Sequence, residues 1–301
     1  MKKTALFLLL ILAVAGGFSC SAAKNQGPAV PAALEPRPGQ GLRHMAALAP
    51  FTDATAGAPT EDGELSRQVA GLVADGCGGG VVILPFSPPG LPTPPASTPM
   101  GLDASEDWVE AARRAGADIL VGGILWDSVV VAEKRGIYGF REKVPVAKAR
   151  LNVWAYDTLT GAKILDEAVD CETILEQMKM EGLVAEEAAF CPPVLREDLT
   201  SRGARAVCRT LEKADWRAFV TSVDGEILTV AAGARSGVAP GREFLVHDLG
   251  EPVSGPGGKV LLLPGKPTGR VTITEVEENQ SQARLIEGQA PSDGGFLTPA
   301  P

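Results

Sequence analysis

The sequence predicts an α/β domain, a mixed sheet with packed helices, followed by a small all-β barrel or sandwich. Two observations carry this. From about His44 to Ala214 the segments read strand, helix, strand, helix, then consecutive strands and a final helix, an order that folds into layered α/β structure. From Trp216 onward glycine and proline recur every few residues, and short alternating segments replace helical stripes.

The chain opens with Met1-Lys2-Lys3 and an apolar run of fourteen residues, Ala5 to Phe18. That run is short of the roughly 20 residues a spanning helix needs, and it fits a secretory signal peptide over residues 1–19. The junction Gly17-Phe18-Ser19-Cys20 resembles a bacterial lipobox, in which a small residue precedes a cysteine that becomes the acylated amino terminus. The resemblance implies lipid attachment at Cys20, and Ser21 after it implies sorting to the outer membrane, with the protein facing the periplasm. Cleavage near Ala22-Ala23 as an ordinary signal peptide is the alternative. Export follows from either.

Residues 20–43 hold Pro28, Pro31, Pro36 and Pro38 without periodicity and read as a flexible tether. The net charge is −9. Removing residues 1–19 takes away two lysines and no acid, which leaves 26 − 37 = −11. A chain this acidic is expected not to bind nucleic acid, nor anionic lipid by charge attraction, so its membrane contact is assigned to the acyl chains. The rest, about 280 residues, suits one large domain or two ordinary ones.

The first domain is read as residues 44–214. Met45 to Phe51 is a strand that ends at Pro50, and Leu65, Val69, Leu72 and Val73 form a helical stripe closed by Gly76. Val81 to Phe86 is a buried strand, followed by a proline run from Pro85 to Pro99 that reads as an extended connection. Asp103 and Glu106 suggest a capped helix start, with Trp108, Val109 and Ala112 on its apolar face. Gly116-Ala117-Asp118 then leads into an apolar strand. In Leu151–Tyr156 the side chains of Leu151, Val153 and Ala155 take one face and Asn152, Trp154 and Tyr156 the other. Asp157 to Gly161 is a turn in which Asp157 bonds the backbone ahead and Gly161 takes a positive φ. Cys191-Pro192-Pro193 opens a last helix whose inner face uses Leu199, Ala206, Val207 and Leu211.

The second domain is read as residues 215–301. Asp224-Gly225 is a hairpin signal between Ala218–Val223 and Glu226–Val230, and further strands are expected at Glu243–His247, Lys259–Leu263, Gly269–Glu275 and Ala283–Glu287.

The Gly-Ala-Asp strand followed by the Asp-x-x-Thr-Gly turn resembles a signature of bacterial envelope proteins. These are the curli-secretion lipoproteins, penicillin-binding-protein activator lipoproteins, the amino-terminal domain of TolB, and the middle domain of flagellar assembly protein T. The turn Gly233–Gly241 and the segment Gly269-Arg270-Val271 resemble the carboxy-terminal domain of flagellar assembly protein T. The resemblance implies a non-enzymatic scaffold or assembly factor, with the outer ring of the flagellar basal body as its first setting. Its implied partners are envelope or basal-body proteins, with a homo-oligomer or ring built through strand edges. A regulatory module for a peptidoglycan synthase or the Tol complex is the alternative, and an envelope hydrolase the more distant one. The extra amino-terminal domain of flagellar assembly protein T is missing. A curli-type channel would need more alternation than Leu125–Val144 provides.

No catalytic, cofactor or metal residue is expected. His44 and His247 stand without a nucleophile motif and read as surface or edge residues. Gly76–Gly80 follows a helix and precedes a strand, the reverse of a phosphate loop, and Gly255–Lys259 reads as a hairpin turn. Glu181, Glu186 and Glu187 read as a solvated helix face. Cys77, Cys171, Cys191 and Cys208 allow three pairings in an oxidising compartment. Cys171–Cys191 is favoured because it closes a short insertion, and buried free thiols are the alternative.

Overall fold

A computed structural model describes residues 41–55, 60–84, 86, 88, 106–175, 191–255, 260–291 and 295–301. Cys20, the signal peptide, most of the tether and proline run, Asp103, residues 256–259 and Glu181, Glu186 and Glu187 lie outside them. The described residues fall within one compact unit.

In the α/β part the strands are β1 (His44–Leu48), β2 (Thr52–Asp53), β3 (Thr60–Glu61), β4 (Val81–Leu84), β5 (Ile119–Arg135), β6 (Glu142–Asp157) and β7 (Lys163–Ile174). The helices are α1 (Gly63–Gly76), α2 (Glu106–Arg114) and α3 (Pro193–Leu211). β4, β1 and β5 run parallel, while β5, β6 and β7 are antiparallel, so the sheet is mixed. One edge of β5 is used twice: Ala46–Leu48 of β1 pair with Ile119–Val121, and β2 takes over at Ile124. The break between β1 and β2 falls at Pro50, which has no N–H to donate to a ladder.

The period-two reading of β6 holds. Leu151, Val153 and Ala155 join the core that contains Leu65, Val69 and Val73 of α1 and Leu199, Val207 and Leu211 of α3. Trp154 and Tyr156 join a second core with Trp108, Val109 and Ala112 of α2. The sheet therefore lies between two helical layers. Two glycines allow this closeness. A Cβ on Gly122 would overlap the Trp154 ring, and one on Gly203 would stand 3.0 Å from Leu151 and 3.1 Å from Val153.

α1 and α3 run parallel because they are tied at both ends. Asp62 caps α1, its Oδ1 accepting from the Glu64 and Leu65 amides at 3.0 and 2.9 Å. Its Oδ2 accepts from Arg196 in the first turn of α3 at 2.7 Å. At the other end Cys77 is disulfide-bonded to Cys208. This corrects the expected pairing. Cys171 and Cys191 are buried free thiols, Cys171 bonded to Asp198 at 3.0 Å. Parallel packing brings together two helix ends that are 131 residues apart, a proximity that no short spacing in the sequence could signal.

Beyond α3 a closed antiparallel barrel forms from β8 (Ala218–Asp224), β9 (Ile227–Val230), β10 (Glu243–Asp248), β13 (Pro267–Val276), β14 (Ser281–Gly288) and β15 (Gly295–Pro299). β11 (Pro252–Ser254) and β12 (Val260–Leu262) make a separate antiparallel ribbon. Gly225 has the positive φ of the expected hairpin, 58°. Trp216, Leu228, Phe244, Val246 and Val271 fill the barrel. Closure depends on β15, which the sequence reading did not anticipate: it pairs with β8 and β10 and leaves neither as an open edge.

The disulfide gives the first prediction. Peptide mapping under non-reducing conditions should recover Cys77 joined to Cys208, and Cys208→Ser should lower unfolding free energy by about 2–5 kcal/mol in denaturant titration. A Cys171–Cys191 cross-linked peptide would contradict the fold.

Candidate functional site

The two aspartates of the sequence signature lie at one end of the sheet and organise the junction with the barrel. Gly116, at φ 85°, turns the chain out of α2, and Asp118 enters β5 only 3 % exposed. A carboxylate so buried needs partners. Its Oδ1 accepts from the Met45 amide at 2.8 Å, and its Oδ2 meets His44 Nδ1 at 2.6 Å. The backbone around it holds the next turn. Thr158 donates its amide to the Asp118 carbonyl at 3.0 Å and its hydroxyl to the Ala117 carbonyl at 2.5 Å.

That turn is the Asp157–Gly161 segment. Asp157 Oδ1 accepts from the amides of Leu159 and Thr160 at 2.9 and 3.0 Å, and Gly161 has φ 72°, as its sequence implies. Asp157 Oδ2 binds Arg217, immediately before β8. Leu159, 1 % exposed, packs with Phe219 and Phe296 of the barrel. Two further bonds close the junction: Trp216 Nε1 donates to the Arg43 carbonyl at 3.0 Å and Arg43 donates its amide to Ser236 at 2.9 Å. The signature thus builds the connection between domains.

Neither histidine is a surface or edge residue. Both are 9 % exposed, a correction to the sequence reading. His44 is held between Asp118 and the Ala214 carbonyl. Burial opposes charge on the ring and is the largest influence, but the hydrogen bond and charge of Asp118, with the Ala214 carbonyl, outweigh it and raise the pKa above 6.5. His247 stacks on Phe296 at 4.6 Å between ring centres, and its two nitrogens meet the Gly265 carbonyl and Thr298 Oγ1 at 3.0 and 2.9 Å. Both ring nitrogens of His247 are occupied and Nδ1 of His44 is taken by Asp118, so each histidine is positioned as a structural tie.

Burial, first, and then the Asp198 contact push the Cys171 thiol up to about 12, and burial pushes Cys191 to about 11. Neither is a thiolate at neutral pH. Among the described residues no group of three or more histidine, cysteine or acidic residues could hold a metal. A cleft of about 370 Å³ lies between α2, the Asp157–Gly161 turn and the β11–β12 ribbon. Of the three acids that line it, Glu106 accepts from the Val260 amide at 3.1 Å and Glu110 pairs with Arg113 and Arg114, while Asp107 is the third.

The opposite end of the sheet is an arm. β5 and β6 stay paired from Ile119–Asp157 to Arg135–Glu142, well past the last contact of β5 with β2 at Leu125. The hairpin is longer than the sequence pattern suggested. One face carries linked charges: Arg135 bonds Glu133 and Glu172 at 2.9 and 2.7 Å, and Lys148 reaches the same two acids at 2.5 and 3.7 Å. Exposed pairs of this kind add little to stability and hold the strands in register.

No family model matches the chain, and no curated protein matches it. Among solved structures it is similar to the hypothetical protein CT253 from Chlamydia trachomatis, at 12 % identity and TM-score 0.34, over 56 % of this chain and 98 % of that one. It is also similar to TolB from Acinetobacter baumannii, at 12 % identity and TM-score 0.29, over 83 % of this chain and 62 % of that one. Lipoprotein GNA1162 from Neisseria meningitidis is a third, at 10 % identity and TM-score 0.28, over 55 % of this chain and 99 % of that one. Likenesses this distant carry no argument about the chain.

His44 gives the second prediction. Its raised pKa means that its ion pair contributes fully below pH 6.5 and is lost as pH climbs through the folded-state value. The urea midpoint of the wild type should therefore fall as pH rises from 6.5, and His44→Gln should flatten that dependence. An unchanged slope in the variant would show that the pair is not formed.

Proposed function

We propose that this protein is a non-enzymatic envelope lipoprotein, anchored through Cys20 in the outer membrane and facing the periplasm, where it acts as a scaffold or assembly factor. The observation that carries the reading is the amino-terminal sequence, in which Lys2-Lys3, the apolar run and Gly17-Phe18-Ser19-Cys20 follow one another in an order that resembles an export and lipidation signal. The site chemistry supports the second half. His44 and His247 are engaged in structural hydrogen bonds and the free thiols are held protonated. A folded body that follows a proline-bearing amino-terminal segment suits a protein that positions others.

The flagellar basal-body outer ring is the first setting proposed, and it rests on the sequence resemblance alone. A regulatory role beside a peptidoglycan synthase or a Tol-type complex is the second, supported by the Gly-Ala-Asp and Asp-x-x-Thr-Gly elements, which the chain shares by resemblance with penicillin-binding-protein activator lipoproteins and the amino-terminal domain of TolB.

Cys20→Ala tests the anchor. The expected outcome is loss of the protein from the outer-membrane fraction on cell fractionation, with the folded body intact. Unchanged recovery in that fraction would remove the lipoprotein assignment.

A further inference from the structure

The tip of the β5–β6 arm has no role in the fold. Between the paired ends Arg135 and Glu142 the chain reads Gly136-Ile137-Tyr138-Gly139-Phe140-Arg141. The turn is tight: Phe140 donates its amide to the Ile137 carbonyl at 2.9 Å, and Gly136 and Gly139 take φ of 119° and 91°. This geometry turns the large apolar side chains outward. Ile137 is 75 % exposed, Tyr138 93 % and Phe140 80 %. Three such side chains on one solvent-facing turn form a patch that isolated surface residues do not.

The charge around the tip reverses that of the molecule. Residues 134–143 contain Lys134, Arg135, Arg141 and Lys143 against the single acid Glu142, a balance of 4 − 1 = +3 in a chain of −9. Arg135 is matched by Glu133 and Glu172. Lys134, Arg141 and Lys143 are exposed and have no ion-pair partner among the described residues. An aromatic and aliphatic point collared by free cations has the composition of segments that settle at the boundary between lipid headgroups and acyl chains. There the rings enter the apolar edge while the lysine and arginine ends meet anionic headgroups.

We propose that this hairpin tip inserts into the interface of an anionic lipid bilayer and gives the body a second membrane contact. A lipid surface accounts for both halves of the patch. Three side chains cover far less than the roughly 1,000 Å² that a stable protein interface buries, and tip-to-tip pairing of two copies would bring like charges together. The contact also revises the expectation that net charge forbids attraction to anionic lipid. Net charge averages over the molecule, whereas screening at physiological salt confines the interaction to groups within about 8 Å of the surface. The inference stands on the arm and does not depend on the role proposed above.

The test places a reporter at the point. Phe140→Trp in the full chain is mixed with vesicles of phosphatidylglycerol and phosphatidylcholine in equal parts, and separately with phosphatidylcholine alone. The added emission is read as the difference from wild type, which carries four tryptophans of its own. On the anionic vesicles it should move to shorter wavelength and be quenched by brominated lipid, and both effects should shrink on phosphatidylcholine. Adding Lys134→Glu, Arg141→Glu and Lys143→Glu should abolish them. Any contact made by the amino terminus leaves this reporter unchanged, so loss of the anchor and failure of the tip are separable. Emission that stays at its aqueous wavelength on anionic vesicles would overturn the proposal, as would an equal shift on both vesicle types or with the three acidic substitutions. Self-association of the lipid-free protein that shifts the same emission would overturn it in favour of a second copy.

Discussion

The junction depends on one buried carboxylate. Asp118 enters β5 with almost no exposure, and a lone ionised group there would be costly enough to disfavour the fold. His44 and the Met45 amide satisfy it, which draws the start of β1 against the start of β5 and fixes their parallel register. Thr158 bonds to the same turn of backbone, so the β6–β7 turn is set by the position of Asp118. Asp157, at the head of that turn, then holds Arg217 and so determines where the barrel begins. Removing one member of a buried pair costs about 3–5 kcal/mol, because the partner is left uncompensated. Here the loss would reach both domains.

The two ends of the sheet are built on opposite terms. At the junction, polar groups are buried and each is answered by a specific partner. Along the arm, β5 and β6 outrun the strands and helices that cover them, and charges are answered by other exposed charges. The first arrangement makes a single body of two domains. The second lets a two-stranded tip project without adding to either core.

Much of the fold was legible because burial leaves a period. The stripe Leu65, Val69, Leu72 and Val73 located α1, and the alternation of Leu151, Val153 and Ala155 with Trp154 and Tyr156 located the two cores that flank β6. The arm was not legible. From Val129 to Val144 little is covered, and a sequence under no burial has no reason to alternate. β15 was missed because it is a five-residue strand whose partners β8 and β10 lie far back in the chain. The disulfide was misassigned for a related reason, since spacing along the chain measures loop length and the parallel packing of α1 and α3 decides which sulfurs meet. The signature aspartates were recognised as turn and strand markers. Their second partners, His44 and Arg217, are 74 and 60 residues away and carry no local signal.

The central claim is that the paired aspartates couple the two domains into one cooperative body, and unfolding tests it directly. Hydrogen exchange followed by mass spectrometry through a denaturant series reports the α/β core at Leu151–Ala155 and the barrel core at Phe244–Val246 separately. The account predicts that both segments lose protection together in the wild type, and that Arg217→Met separates them, with the barrel and the α/β domain opening at different denaturant concentrations. Independent opening of the two segments in the wild type would contradict it.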